Sequence, residues 1–164
     1  MKAELKIADL GAAKVLSPQG WNTPYVVSRY YRAPELILGS NQYDCSIDIW
    51  STGCILFELI TRTPLFPGDA EGLQVLEQAQ IKGMPNPKEM AELEKICEAP
   101  VMQLLKRNKD FGPTDLVEIM MSNSRNRYDR ADMIQAADLI EKCLKWVPNQ
   151  RISAIDALSH TFFR

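Results

Sequence analysis

Along residues 46–60 the apolar positions Ile47, Ile49, Trp50, Cys54, Ile55, Leu56, Phe57, Leu59 and Ile60 fall on every side of a helical wheel. A helix apolar all round belongs in the middle of a fold. The other periodic stretches are one-sided. Residues 71–81 predict a helix with Leu73, Leu76 and Ala79 on its apolar face, closed by Gly83. Asn86-Pro87-Lys88-Glu89 then supplies an N-cap, a proline at the first helical position and an acid at the third. The helix it opens carries a narrow stripe of Met90, Leu93 and Ile96. Pro100 and Pro113 separate two shorter helices, over 101–107 and 114–121, before a polar stretch at 122–128. A longer helix over 131–146 follows, with Ile134, Ala137, Leu139, Ile140 and Leu144, and Ser153 to Asp156 form a capping box for a last one.

The N-terminal fifth is different. Residues 4–9 alternate weakly and predict a short strand, and 17–24 read as loop from their prolines, glycine and asparagine. Ala33-Pro34-Glu35 starts a short helix that Gly39 ends. There are no repeats and no low-complexity tract, and the fold class is mainly α.

Composition changes this picture only by exclusion. The 164 residues carry a formal charge of −2, which argues against a nucleic-acid partner, since phosphate binding needs a surplus of Lys and Arg. The longest apolar run, 54–60, is broken by Glu58 and falls far short of the roughly 18 residues of a membrane span, so no membrane partner is expected. Cys45, Cys54, Cys97 and Cys143 form no C-x-x-C pair, which points to reduced thiols and a cytoplasmic or nuclear location. His160 is the single histidine, so a His-ligated metal site or His-based triad is not expected, and a packed histidine is.

Four short motifs occur in a telling order: Asp9-Leu10-Gly11, Ala33-Pro34-Glu35, Asp48-Ile49-Trp50-Ser51-Thr52-Gly53 around the apolar helix, and Arg151. Together they resemble the C-terminal lobe of a eukaryotic protein kinase. The run Thr23-Pro24-Tyr25-Val26-Val27-Ser28-Arg29-Tyr30-Tyr31-Arg32-Ala33-Pro34-Glu35 is similar to the activation segment of the CMGC group, which includes glycogen synthase kinase-3, the mitogen-activated kinases and the cyclin-dependent kinases. The likeness spans the chain and is loosest over 88–130. It implies residues 9–35 as activation segment, 46–60 as central buried helix, 84–130 as a CMGC-type insert region and 131–164 as C-terminal helices.

The resemblance also implies roles. Asp9 matches the aspartate that holds Mg²⁺ against the ATP phosphates; as an isolated residue it reads as a turn or cap. Leu10 replaces the usual phenylalanine with an apolar plug of similar size. Tyr25, with Thr23, matches the regulatory pair of the mitogen-activated kinases, and Arg29 and Arg32 match the arginines that receive a phosphorylated tyrosine. The alternative for Tyr25 is an unmodified, packed side chain. Lys14 matches a phosphate-holding group for primed substrates, against the plainer reading of a solvated lysine. Ser28 and Tyr31 fall in the substrate-binding region, where residues 30–33 shape a pocket for proline or a primed substrate. Glu35 and Arg151 are expected to pair, and Asp48 to accept hydrogen bonds from the catalytic loop.

The 164 residues hold no G-x-G-x-x-G, no strand lysine of the Val-Ala-Ile-Lys kind and no H-R-D-x-x-x-x-N; Tyr128-Asp129-Arg130 is no substitute. The expectation is therefore a truncated kinase-like C-terminal lobe with no catalytic residue of its own. Within a complete serine/threonine kinase it would use ATP and Mg²⁺ on protein substrates; alone it is expected to be inactive, and unstable or oligomeric. The alternative is a non-catalytic scaffold that docks partner proteins at 84–130 through Met90, Leu93, Ile96, Leu104 and Leu105.

Overall fold

The computed structural model describes residues 6–16, 28–68, 71–97, 100–108, 111–125 and 127–164. Eight α-helices follow one another in chain order among them: α1 (Pro34–Ile37), α2 (Ser46–Thr61), α3 (Glu71–Lys82), α4 (Pro87–Ile96), α5 (Val101–Arg107), α6 (Leu116–Asn123), α7 (Arg130–Cys143) and α8 (Ala154–Leu158). Short 3-10 turns lie at Leu10–Ala12, Arg29–Tyr31, Pro148–Gln150 and Thr161–Phe163. Among the described residues the one strand-like pairing is an isolated antiparallel bridge between Lys82 and Pro113. The strand expected over 4–9 is not formed at residues 6–9, and its first two positions lie outside the described residues. A strand needs a neighbour to take its backbone hydrogen bonds, and among the described residues none lies beside it.

Local signals place the helix starts well. Asn86 Oδ1 accepts from the backbone of Lys88 and Glu89 at 2.9 and 3.0 Å, and the Glu89 carboxylate accepts from Asn86 N at 2.9 Å, completing the capping box of α4. Asp115 caps α6 through Val117 and Glu118, and Ser153 Oγ accepts from Asp156 N at 3.1 Å at the start of α8. Gly39, at φ 80°, follows α1 in the left-handed region where a side chain would be strained.

Packing decides which faces turn inward. α2 crosses α7 so closely at Gly53 that an added Cβ would lie 2.8 Å from the Cys143 Cβ. Ile47, Trp50, Cys54 and Phe57 of α2 join Leu116 and Met120 of α6 and Met133, Ala137 and Ile140 of α7 in the larger core. Trp50 stacks on Phe66 at 5.9 Å and meets Trp146 at 6.5 Å. A second core gathers Ile37 and Leu38 with Val75 and Ala79 of α3, Leu93 of α4, and Met102 and Leu105 of α5.

α2 keeps one side in water, as is expected for this helix without further elements packed on it: Asp48, Thr52, Ile55 and Leu59 form one exposed stripe, with Ile55 at 46% and Leu59 at 52% of full exposure. Two expectations are corrected here. α3 turns Gln74, Val75, Gln78 and Ala79 inward and leaves Leu73 outside. Both glutamines enter because each finds a main-chain acceptor, Phe66 O and Arg32 O, at 3.0 Å. α7 ends at Cys143 rather than Trp146, because the chain must turn for Trp146 to reach the second core, where its Nε1 donates to Gly83 O at 3.2 Å.

Candidate functional site

Residues 28–35 are fastened from three sides, by α2, by α3 and by the chain after α7. The Arg29–Tyr31 turn lies against α2, where Ser51 Oγ donates to Tyr31 O at 2.8 Å. Tyr31 Oη donates to Glu58 Oε2 at 2.7 Å. That bond, together with burial, pushes the phenol up to about 12. From α3, Gln78 Nε2 donates to Arg32 O at 3.0 Å. From the chain after α7, Arg151 reaches Glu35.

The last contact is the strongest. Arg151 Nη1 donates to Glu35 Oε1 at 2.7 Å and Nη2 to Oε2 at 2.6 Å, with both side chains fully buried. Arg151 also donates to Lys145 O and Ser46 O, each at 3.0 Å, and its guanidinium carbon lies 5.2 Å from the Trp50 ring centroid. A planar fork with this many acceptors recovers much of its desolvation cost.

Asp9 stands apart from these contacts. It is exposed, in the left-handed region at φ 59° and ψ 70°, and its Oδ1 accepts from Gly11 N at a long 3.4 Å. Such a conformation in a non-glycine residue is a marker of function or strain. Its carboxylate suits a hard cation such as Mg²⁺, which is commonly held by one or two carboxylates together with substrate phosphates. Among the described residues no cluster of three His, Cys, Asp or Glu side chains forms a self-sufficient metal site. Leu10, expected as a plug, is 71% exposed, because nothing among the described residues covers it.

Lys14 is exposed, with Nζ 5.5 Å from the Tyr43 ring centroid. Ser28 and Arg29 are exposed, and Tyr30, Tyr31 and Arg32 are half-buried. Thr23 and Tyr25 lie outside the described residues. The Asp48 side chain is exposed, and its carbonyl accepts from Thr52 Oγ1 at 2.7 Å. His160 is packed as expected: Nδ1 accepts from Phe162 N at 3.2 Å, which leaves Nε2 to donate to Asp138 at 2.8 Å. Sequence reasoning missed Glu58 and Gln78. Glu58 did leave a signal, a lone carboxylate inside an apolar helix. Gln78 left none.

The model of the protein kinase domain family matches residues 1–163. The chain belongs to the protein kinase domain family. The kinase chain is 38% identical over 159 residues to protein kinase gsk31 of Schizosaccharomyces pombe, covering 97% of this chain and 38% of that one. It is 40% identical over 162 residues to human cyclin-dependent kinase 20, covering 98% and 43%. It is 36% identical over 161 residues to mitogen-activated protein kinase 10 of Arabidopsis thaliana, covering 98% and 38%. All three names fall in the CMGC group. The kinase chain thus spans about two fifths of the length of these curated relatives. No helix among the described residues is long and apolar enough to cross a membrane.

Proposed function

We propose that this chain is the C-terminal-lobe portion of a CMGC-type serine/threonine protein kinase, and that its 164 residues alone transfer no phosphate. In a complete kinase the reaction moves the γ-phosphoryl of ATP to a protein hydroxyl, a step that rests on positioning and charge stabilisation. ATP and Mg²⁺ are the cofactors of that reading, with Asp9 as the one ligand this chain contributes. Mg²⁺ would neutralise charge developing on the phosphates.

The observation that carries the reading is the three-sided fastening of residues 28–35. Tyr31, Arg32 and Glu35 are each tied to a different part of the lobe, while Ser28 and Arg29 stay exposed beside them. A rigid floor with an exposed polar edge suits a surface that aligns a protein substrate. Ser28 and Tyr31 shape that edge, and Lys14 is a solvated lysine packed over Tyr43. Arg29 and Arg32 receive the charge of a phosphorylated Tyr25 or Thr23. The scaffold alternative gains no support from helices α4 and α5. Leu93 and Leu105 are fully buried, and Met90, Ile96 and Leu104 are partly covered.

The test compares γ-phosphate transfer from labelled ATP by the 164-residue chain and by the natural full-length product. Transfer by the longer product alone, abolished by Asp9→Asn, is the expected result. Transfer by the 164 residues alone, or a fully active Asp9→Asn product, overturns the reading. A natural product no longer than 164 residues favours the scaffold.

A further inference from the structure

Lys82 closes α3, and its ammonium lies between two indoles: Nζ is 5.7 Å from the ring centroids of both Trp50 and Trp146. Trp50 is fully buried and Trp146 is held by its bond to Gly83 O, so the two walls are fixed. Lys82 lines a cavity of about 160 Å³ together with Pro113, Thr114, Leu116, Glu141, Leu144 and Lys145. Among the described residues Nζ has no hydrogen-bond acceptor and no carboxylate partner. Thr114 Oγ1 is already committed to Gln80 O at 2.9 Å.

The charges around Nζ come from several elements. Lys145 and Arg151 disfavour a second cation; Glu89 of α4 and Glu141 of α7 favour one, as do the indole faces. Burial outweighs these and, with Lys145, brings Lys82 down to about 8. At pH 7 that leaves on the order of a tenth of the amine neutral, against well under a thousandth for an ordinary lysine.

We propose that Lys82 Nζ is an acylation site that takes a short acyl group from a thioester donor, the acyl chain filling the cavity beside Leu116 and Leu144. The amine lone pair attacks the thioester carbonyl carbon; the C–N bond forms as the C–S bond breaks. The nitrogen loses a proton to water, and the departing thiolate takes one up as thiol. No oxidant or further reactant is required. The product is an uncharged amide, so the poorly solvated ammonium and its repulsion with Lys145 both disappear. Lys145 remains across the cavity as a donor to the new carbonyl. The site is independent of phosphoryl transfer.

Full-length protein is incubated with S-acetyl-N-acetylcysteamine, and acetylation is followed lysine by lysine by peptide mass spectrometry. Reaction rate rises with the neutral fraction, while the intrinsic nucleophilicity of the amine falls as its pKa falls, so Lys82 should react roughly tenfold faster than exposed Lys88 at pH 7.5. The advantage should vanish in denaturant, and the rate should level off above about pH 8. Lys145→Gln removes the like charge and should slow Lys82 and move its pH profile upward. Lys82→Arg keeps a cation between the indoles and should lose only this acetylation. Lys82 reacting no faster than Lys88 in the folded protein, or a pH profile unmoved by Lys145→Gln, overturns the proposal.

Discussion

Glu35 and Arg151 stand 116 residues apart and are both sealed from water, so neither tolerates the loss of the other. Arg151→Ala should cost about 3–5 kcal/mol, because a buried carboxylate is left unpaired. That is a large share of the 5–15 kcal/mol typical of a domain. Urea unfolding followed by circular dichroism checks it. Replacing both, as Glu35→Leu with Arg151→Met, should restore only part of the loss, since Lys145 O and Ser46 O still lack their donor. Tyr31 makes a pH prediction. Its folded value is about 12 against 10.0 for the free phenol, so between these values the unfolded chain releases a proton that the folded chain keeps. The contribution is fully present below pH 10 and is lost as pH rises toward 12. Stability measured across that window should fall less steeply in Tyr31→Phe and in Glu58→Gln than in the unaltered chain.

At the scale of elements, helix starts were legible and helix faces were not. Asn86-Pro87-Lys88-Glu89 fixes the first residue of α4 because its cap is satisfied within four residues. Pro34 and Ser46 likewise begin α1 and α2 where the sequence puts them. The inward face of α3 escaped because two glutamines displaced Leu73, and their acceptors come from Phe66 and Arg32. Apolar periodicity does not register a polar side chain whose partner is remote. The α2–α7 crossing is similar: Gly53 is one glycine among eight until Cys143 and Leu144 are seen against it. Gly53→Ala improves helix propensity by up to about 1 kcal/mol. Its Cβ would nonetheless press on the Cys143 Cβ at 2.8 Å, and overpacking of that kind costs about 1–3 kcal/mol. We expect net destabilisation, read as a lower melting temperature.

For the whole molecule, the exposed stripe of α2 is the feature with consequences in solution. Ile55 and Leu59, 46% and 52% exposed, run along the same side as Asp48 and Thr52. Ile155 and Leu158 of α8 are exposed by 71% and 72%. Apolar surface of this kind promotes association. The 164-residue chain should self-associate in sedimentation velocity, and Ile55→Ser with Leu59→Ser should reduce the associated fraction without lowering helix content. A monodisperse monomer from the unaltered chain contradicts this.

The sequence alone determined the mainly helical class, the helix starts and, through the order of short motifs, the kinase resemblance. Those are properties of neighbouring residues and of spacing along the chain. Tertiary structure alone decided which stripe of α2 stays in water, that two glutamines enter the core, that Glu58 takes the Tyr31 hydroxyl, and that Lys82 lies between two tryptophans. Each depends on groups far apart in the chain, whose meeting is set by how the helices cross. Burial of a polar group follows from where its partner arrives, and no local pattern records that.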